Sequence, residues 1–310
     1  MSVKCSFCRR EAVYFRPYSG EYLCKRCFSR SVVEKVKRTI SKYEMLEHGD
    51  RIGVGVSGGK DSLSLLYILN GLAKKHGSEL ISITIDEGIK GYSWDAMKLA
   101  KEFSEGLGVE HYPTSFKEIY GYTLDELIKL RDEKGLRASA CSICGTLRRK
   151  ALDLTARKLK LDALATAHNL DDMVQTFLIN LMNGDLEKLK WLKPKIEGFG
   201  IKRVKPFSEL YEREILAFSY LNEIPIFDKV CPYAREGIRW EVRRMLDRLE
   251  FGHPGVKYTM LRSALKLGEG IEEERPTHSC VYCGMPSSSP VCNACKMLLS
   301  LGVEPRPQEG

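Results

Sequence analysis

Alternating strand and helix patterns between residues 50 and 230 constrain the fold of this chain more than any other feature. RIGVGVS at 51–57 has the short apolar composition of a buried strand, and DSLSLLYILNGLAKKHG at 61–77 has apolar residues at helical spacing. ELISITIDEG, VEHYPTSF and LDALATAH follow as further strands, with helical patterns between them and one long helical stretch ending near residue 160. This alternation predicts an α/β fold, a doubly wound parallel sheet with helices on both faces.

The chain contains eleven cysteines, and eight of them form four Cys-x-x-Cys pairs, two at each end of the sequence. No apolar leader opens the sequence, so we expect a cytoplasmic protein whose thiols bind metal or act in catalysis. Two such pairs match a tetrahedral four-thiolate zinc site, which is structural because no coordination position stays open. The alternative is a set of buried free thiols. We expect two structural Zn²⁺ sites with these ligands: Cys5, Cys8, Cys24 and Cys27 in the first, and Cys280, Cys283, Cys292 and Cys295 in the second.

These motifs divide the chain into five expected segments. They are an N-terminal zinc finger at 1–30, a basic linker helix at 31–49, the α/β domain at 50–231, which the loop described below makes the expected PP-loop ATP-binding catalytic domain, a basic helical segment at 232–275 and a C-terminal zinc finger at 276–310. A module as small as either finger cannot build an adequate core, so bound metal would supply its folding free energy. No run of 18 apolar residues occurs, so no membrane span is expected.

Positive charge is concentrated in short stretches, although the net charge of the chain is a modest +8. Solvated helix faces are one interpretation of each stretch. Two stretches and a basic N-terminal segment together favour a polyanionic partner such as RNA. The two stretches contain Arg148, Arg149, Lys150, Arg157, Lys158 and Lys160 in one, and Arg235, Arg239, Arg243, Arg244 and Arg248 in the other.

The sequence SGGKDS, between the first predicted strand and its helix, has the composition of a phosphate-binding loop. It is not a Walker A loop, because Val54 stands where that pattern needs glycine and Asp61 follows Lys60. Ser57, Gly58 and Gly59 would expose backbone N–H groups, and the positive end of the following helix would attract an anion. Lys60 adds a positive charge, and Asp61 could hold Mg²⁺ or contact the reacting group.

SGGKDS also resembles the PP-loop signature, SGGxDS, of the N-type ATP pyrophosphatases, and it has the required strand–loop–helix context. The resemblance implies that the loop binds the β,γ-pyrophosphate of ATP. It further implies that AMP is transferred to a carbonyl-type oxygen, that pyrophosphate is released, and that a nucleophile then displaces AMP. The ATP-binding residues implied are Ser57, Gly58, Gly59, Lys60 and Ser62.

Three more stretches resemble the TtcA/TtuA-like tRNA 2-thiouridine synthetases: CSICGTLRRKAL at 141–152, ATAHNLDD at 165–172 and VCPY at 230–233. With both terminal zinc modules, the resemblance covers nearly the whole chain. The first stretch, together with LMNGDLEKL, is closer to the archaeal and eukaryotic cytosolic wobble-uridine thiolases than to the T-loop enzymes. The resemblance therefore implies ATP-dependent 2-thiolation of a tRNA uridine, at the wobble position, with T-loop 5-methyluridine as the alternative.

Cys141, Cys144 and Cys231 distinguish sulfur chemistry from the nitrogen chemistry of other PP-loop enzymes. The resemblance implies that they hold a [4Fe-4S] cluster with one open iron, which binds sulfide without electron transfer. Two alternatives stay open: a persulfide on Cys144 or Cys231 that is resolved as a disulfide, and a structural or merely buried set of thiols. Cys141 and Cys144 precede a basic helix, whose N-terminus would favour thiolates.

The remaining site assignments are also implied by the resemblance. Asp61 and Asp172 would assist adenylation, through Mg²⁺ or by positioning the substrate. Arg148 stands where TtuA-type enzymes have a lysine that contacts ATP or the activated base, and arginine is not equivalent to lysine at a phosphate. Ala167 replaces the glycine of the family's TGHN stretch, and Ile85 would line the adenine pocket. The implied partners are tRNA, a ubiquitin-like sulfur carrier with a C-terminal thiocarboxylate, and a second copy of the chain.

Two rival classes fit parts of this pattern. A non-catalytic RNA-binding zinc protein would not need an intact SGGKDS loop. An ammonia-using amide synthetase of the same superfamily would not need the three central cysteines, and we find no glutaminase domain in the sequence.

Overall fold

The computed structural model describes residues 2–197, 200–234, 236–271 and 276–307, so Arg235 of the second basic stretch lies outside the described residues. The strands are β1 (Tyr14–Arg16), β2 (Glu21–Leu23), β3 (Arg51–Gly55), β4 (Glu79–Asp86), β5 (Glu110–Ser115), β6 (Ala163–Ala165), β7 (Lys195–Ile196), β8 (Lys202–Val204), β9 (His278–Ser279) and β10 (Pro286–Ser287). The helices are α1 (Lys25–Lys42), α2 (Lys60–His76), α3 (Ser93–Gly106), α4 (Phe116–Tyr120), α5 (Leu124–Glu133), α6 (Ala140–Lys158), α7 (Leu170–Met182), α8 (Glu212–Leu221), α9 (Arg239–Gly252), α10 (Val256–Glu269) and α11 (Asn293–Ser300), with a 3₁₀ helix at Leu186–Leu192.

The central sheet confirms the predicted α/β fold. Its six strands lie in the order β5-β4-β3-β6-β8-β7, and all neighbours are parallel except β7, which pairs antiparallel with β8 at one edge. The chain proceeds from β3 outwards to β5 and then returns to β6 on the other side of β3. The topological switch point therefore lies between β3 and β6, where ligands bind in doubly wound sheets.

The two faces of β3 differ in side-chain size. Ile52 and Val54 face a core built with α1, α2 and α8. Gly53 and Gly55 face α6: a Cβ on Gly53 would lie 2.5 Å from Leu161 Cδ1, and one on Gly55 would lie 3.5 Å from Leu152 Cδ1. Gly53 therefore allows the turn after α6 to pack closely on the central strand, whereas a side chain at position 55 would meet Leu152 of α6 at an ordinary contact distance.

Three helices, α4, α5 and α6, replace the single long helical stretch expected before residue 160. Gly121 ends α4 with φ of +81°, and capping boxes start α4 at Ser115 and α5 at Thr123. Helix α6 then runs back across the sheet, and the carbonyl of Leu159 accepts a hydrogen bond from Arg51 Nη1 at 2.7 Å. The first turn of α6 consequently lies at the carboxyl edge of the sheet.

The N-terminal module consists of the β1–β2 hairpin and the start of α1. The helix begins at Lys25, next to Cys24, rather than after the module as the sequence suggested. Glu214 of α8 is fully buried, and its Oε1 accepts hydrogen bonds from Arg16 Nε at 2.8 Å and Tyr18 Oη at 2.9 Å. These buried contacts fix the hairpin against the central domain.

The C-terminal module packs on the opposite face of the sheet. Its cysteines share a hydrophobic core with Leu147 and Ala151 of α6. Helices α9 and α10 form a third core with α7 and the 3₁₀ helix, and a break at 253–255 separates the two helices, as expected. Among the described residues, no helix combines the length and the apolar character needed to cross a membrane.

Candidate ATP and sulfur site

The SGGKDS loop connects β3 to α2 at the carboxyl edge of the sheet. Gly58 has φ of +78°, and a Cβ at this position would lie 2.5 Å from the carbonyl oxygen of Ala96 in α3. Ser62 Oγ accepts a hydrogen bond from Ser57 N at 3.1 Å and donates one to the carbonyl oxygen of Gly59 at 2.9 Å. The loop is therefore held tightly by its own serine and by α3, which requires glycine at 58.

The first turn of α2 points into this loop. Gly59 precedes the helix in an extended conformation, and the structure shows no side chain capping that described terminus. The N–H groups of the first turn are thus available to an anion, and the helix dipole favours negative charge there. This geometry has the properties that the sequence predicted for a phosphate cradle.

Lys60 and Asp61 lie beside a carboxylate that sequence reasoning did not find. Lys60 Nζ is 2.8 Å from Glu212 Oε1, at the start of α8, and 3.1 Å from Asp61 Oδ2. Asp61 Oδ1 is buried and has no hydrogen-bond partner among the described residues. Burial raises the pKa of Asp61, and the nearby Glu212 and Asp171 carboxylates add to the rise. A divalent cation at Asp61 would coordinate the unpaired Oδ1 atom and would favour the ionised form of this carboxyl group.

The loop after β6 forms the other side of the switch point. Asn169 and Asp172 form a capping box that starts α7, with Asp172 N donating to Asn169 Oδ1 at 3.0 Å. Burial raises the pKa of the Asp172 carboxyl to about 6, and Asp61 adds to the rise. The two aspartates, from α2 and α7, are therefore near enough for the Asp61 charge to act on Asp172. The structure thus brings together two of the predicted adenylation residues.

Cys141 and Cys144 lie in the first two turns of α6, at the same edge of the sheet. Cys144 Sγ accepts a hydrogen bond from Arg148 Nη2 at 3.1 Å, and Arg148 Nε is 2.7 Å from Glu87 Oε1. Burial raises the pKa of the Cys144 thiol to about 11, and Arg148 opposes this rise. Burial also raises the pKa of Cys141. The expected stabilisation of thiolates by the helix N-terminus is therefore outweighed by desolvation in the free thiols.

A short series of contacts connects the cysteines to the phosphate loop. Ser93, at the start of α3, donates from Oγ to Glu87 Oε2 at 3.3 Å, and Glu87 pairs with Arg148. One turn later in the same helix, Ala96 packs against Gly58. The phosphate loop therefore contacts the first turn of α3, and Cys144 is connected to the same turn through Arg148 and Glu87.

Cys231 approaches the cysteines of α6 from the segment after α8. Its charged form would raise the pKa of both Cys141 and Cys144, and Cys141 Sγ is 3.4 Å from the carbonyl oxygen of Tyr233. The three sulfur atoms do not all lie within 4.8 Å of one another, unlike the four sulfur atoms of each terminal set in the described part of the chain. A four-iron cluster is wider than a single ion, so three neighbouring thiols at larger separations fit a cluster.

The two terminal cysteine sets have the geometry of single-ion sites. In each set the four sulfur atoms lie within 4.8 Å of one another. Cys8 Sγ is 3.5 Å from Cys24 Sγ, and Cys283 Sγ is 3.8 Å from Cys292 Sγ. Tetrahedral thiolates at about 2.3 Å from zinc stand about 3.8 Å apart, which these separations approach.

The other predicted site residues lie near this region. Ala167 is half-buried in the loop after β6, and Ile85 is buried at the end of β4 in the core shared with α6. Their contact with adenine stays a prediction. Sequence reasoning missed Glu87 and Glu212, because each carboxylate pairs with a cation that is distant in the sequence and no local pattern marks it.

Comparison with known proteins agrees with this geometry. A family model described as a PP-loop domain matches residues 29–245, and one described as the N-terminal LIM domain of the 2-thiouridine synthetase TtuA matches residues 4–29. The fold and the SGGKDS loop thus define a PP-loop protein, a class that uses ATP.

Full-length relatives identify the family within this class. A probable sulfurtransferase of Methanocaldococcus jannaschii is 36% identical over 95% of this chain and 87% of its own length. The cytoplasmic tRNA 2-thiolation protein 1 of Dictyostelium discoideum is 35% identical over 96% of this chain and 83% of its own length. The structure of the U34-tRNA thiolase NcsA from Methanococcus maripaludis with its [4Fe-4S] cluster matches with a TM-score of 0.87 and 35% identity, covering 100% of both chains. The chain belongs to this family of PP-loop tRNA 2-thiolation proteins, which confirms the resemblance found in the sequence.

Proposed function

We propose that this chain is an ATP-dependent tRNA sulfurtransferase that converts the wobble uridine to 2-thiouridine. The observation that carries the proposal is the position of Cys144 on the same edge of the sheet as the phosphate loop, with Arg148, Glu87 and the first turn of α3 connecting the two. Adenylation and sulfur delivery to one base require that the two groups face a common space. The names of the full-length relatives support this substrate and this chemistry.

In the first half-reaction, the loop residues bind ATP. The N–H groups of Ser57, Gly58 and Gly59 and the first turn of α2 would hold the β,γ-pyrophosphate, with Lys60 balancing its charge and Ser62 shaping the loop. Ala167 and Ile85 would border the adenine. The uridine O2 attacks the α-phosphorus in line, pyrophosphate leaves, and the base carries AMP on O2.

Two carboxylates would assist this step. Asp61 has a buried oxygen without a hydrogen-bond partner among the described residues, and this oxygen would bind a Mg²⁺ ion, which would supply positive charge to the phosphates. Asp172 would help to hold the ion or would orient the base, because the Asp61 charge acts on it. Glu212 would release Lys60 when the phosphates arrive, since the lysine cannot pair fully with both.

In the second half-reaction, a sulfur nucleophile attacks C2 of the adenylated base, the C2–O2 bond to AMP breaks, and 2-thiouridine results without net oxidation or reduction. Cys141, Cys144 and Cys231 would hold a [4Fe-4S] cluster, which supplies a Lewis-acidic iron with an open position for sulfide. Arg148 would stabilise the Cys144 thiolate through the hydrogen bond from Nη2. Arg148 contacts Cys144 and Glu87, so we assign it to sulfur delivery rather than to ATP.

The remaining components of the proposal concern stability and partners. Each terminal cysteine set would hold one structural Zn²⁺, which the sulfur separations favour. We also propose a ubiquitin-like thiocarboxylate protein as the sulfur donor and a homodimer as the assembly. We propose the cytoplasm as the compartment, which the name of the cytoplasmic tRNA 2-thiolation protein 1 supports.

In the test, the wild type and Cys144→Ala are purified anaerobically, and their iron, sulfide and zinc contents are measured. Each protein is then incubated with ATP, sulfide and an unmodified tRNA transcript, and the thiolated product is measured. We expect about four irons per chain in the wild type, their loss in the variant, and thiolation that requires a uridine at position 34. Pyrophosphate release should persist in Cys144→Ala. An iron-free wild type that still thiolates would remove the cluster from the mechanism, and a requirement for a sulfane-sulfur donor in place of sulfide would favour a persulfide. Thiolation of the T-loop uridine would correct the tRNA position.

A further inference from the structure

Basic side chains border the loop after β6 on the side away from the phosphate loop. In the sheet, Val204 of β8 pairs with Ala165 of β6, and Thr166 N donates to the Val204 carbonyl oxygen at 3.0 Å. The next residue, Lys205, therefore lies beside the Thr166–His168 part of the loop. It is half-buried, and its Nζ donates to the carbonyl oxygens of Trp191 at 3.0 Å and Lys193 at 2.9 Å.

Two arginines reach the same region from other elements. Arg203 Nε donates to Asp153 Oδ1 of α6 at 2.8 Å, so the helix turn that carries Arg149, four residues before Asp153, lies next to the end of β8. Arg239, at the start of α9, donates to Gln175 Oε1 at 3.3 Å and to Thr176 Oγ1 at 3.2 Å in α7. We call Arg149, Lys205 and Arg239 the basic cleft.

The positive charge of the basic cleft is not compensated. Within the described residues, Asp153 pairs with Arg203, but no carboxylate forms an ion pair with Arg149, Lys205 or Arg239. Burial and the neighbouring Arg203 and Arg149 lower the pKa of Lys205 to about 7. His168 is exposed in the loop that the basic cleft borders. A bound anion would relieve this repulsion.

We propose that the basic cleft binds the tRNA backbone phosphates next to the uridine being modified. The proposal rests on the proposed function and names a subsite of the same reaction. Phosphate is the ligand chemistry that arginine and lysine recognise when no carboxylate neutralises them. ATP has its own cradle at Ser57–Lys60, after β3, whereas the cleft lies across the switch point beside β8. Phosphates held on the cleft would therefore place a base between the cleft and the phosphate loop.

The test compares Arg149→Gln and Arg239→Gln with the wild type. Arg149 is exposed and makes no described ion pair or hydrogen bond, so its replacement leaves the packing unchanged. Lys75→Gln is the control, because it removes one exposed positive charge from the end of α2, at the opposite edge of the sheet. Binding of an unmodified tRNA transcript is measured by fluorescence anisotropy at several salt concentrations, and ATP binding is measured by calorimetry.

We expect each arginine variant to weaken tRNA binding about threefold to tenfold and to reduce the slope of log K against log salt by about one. ATP binding should stay within about twofold, and Lys75→Gln should match the wild type in both assays. Unchanged tRNA affinity and slope in both arginine variants would overturn the proposal. Weaker ATP binding with unchanged tRNA binding would also overturn it and assign the cleft to the nucleotide. A wild type that binds tRNA but forms no thiolated product would count against the proposed function alone.

Discussion

Arg148 Nη2 donates a hydrogen bond to Cys144 Sγ across 3.1 Å, one helical turn along α6. The same guanidinium pairs with Glu87, whose other oxygen accepts from Ser93 at the start of α3. The contact supports the proposed role of Arg148, which is to stabilise the Cys144 thiolate. It also gives a reason for arginine instead of lysine, because a planar guanidinium can contact two partners in fixed directions.

Replacement of Arg148 by glutamine should reduce sulfur chemistry without reducing ATP binding. The variant loses the charge that stabilises the Cys144 thiolate, so we expect less iron per chain after anaerobic purification and at least about tenfold slower thiolation. Iron analysis and product quantification measure these effects. Arg149→Gln is the control for iron content, since Arg149 has no described bond to Cys144. Full iron content in Arg148→Gln would contradict the assignment.

Replacement of Gly58 by alanine should destabilise the phosphate loop. The backbone has φ of +78°, and the new Cβ would meet the Ala96 carbonyl oxygen at 2.5 Å. We expect loss of measurable ATP binding and a decrease of about 1–3 kcal/mol in the free energy of unfolding. Gly59→Ala is a matched control, because its nearest contact would be an ordinary 3.5 Å to Ser57 Oγ. Equal stability losses in the two variants, measured by denaturant unfolding, would argue against the strain.

Replacement of Lys60 by methionine should impair the adenylation half-reaction. Lys60 is the cation closest to the start of α2, and the variant would leave Glu212 and Asp61 to repel the phosphates. We expect pyrophosphate release to slow by about 10²-fold, with iron content unchanged. Lys75→Met, on the far end of the same helix, should release pyrophosphate normally. A Lys60→Met variant with wild-type turnover would remove the lysine from the site.

The raised pKa of Asp172 gives stability a defined pH dependence. Burial raises this pKa from 3.8 to about 6, so the folded protein binds the proton more tightly than the unfolded chain. The associated stability is present below pH 3.8 and is lost as the pH rises through about 6. Asp172→Asn should therefore become more stable than the wild type by on the order of 1 kcal/mol above pH 6, with no gain near pH 4. Thermal unfolding from pH 4 to 8 measures this difference.

Asp228→Asn, at an exposed position after α8 with no described ion pair, is the control for Asp172→Asn and should show no such trend. A stability difference that grows as the pH falls would contradict the sign. Above pH 6, Asp172→Asn should also release pyrophosphate more slowly than the wild type, since the amide cannot carry the negative charge that the adenylation step needs.

Damage to the two zinc modules should have different effects on iron. Cys283 shares a core with Leu147 of α6, whereas the N-terminal cysteines pack in the core of α1 and α2. We expect Cys283→Ser to lose one zinc and much of the iron, and Cys8→Ser to lose one zinc and keep the iron. Metal analysis of both variants measures this asymmetry. Equal iron contents would show that the C-terminal module does not support α6.

The sequence contained the phosphate loop, both four-cysteine sets and the alternation that defines the sheet, because each depends on local spacing. The start of α5 could also have been predicted from the sequence, because Thr123 and Glu126 form a capping box, although the apolar pattern obscured it. The strands β7 and β8 could not have been predicted, because segments of two or three residues show no periodicity. Glu212 could not be assigned in advance, since its partner Lys60 is 152 residues away and only the folded chain brings them together.

Gly53 leaves room for Leu161, in the turn that leads from α6 back to the sheet, and so helps to set how α6 lies relative to β3. The first turns of α6 carry Cys141 and Cys144, and β3 leads into the SGGKDS loop. The separation between the phosphate loop and Cys144 is thus set when the turn after α6 packs on β3. Under the proposed function, a base that is activated at the loop would receive sulfur without moving to a second site. A larger side chain at residue 53 would displace Leu161 and change that separation.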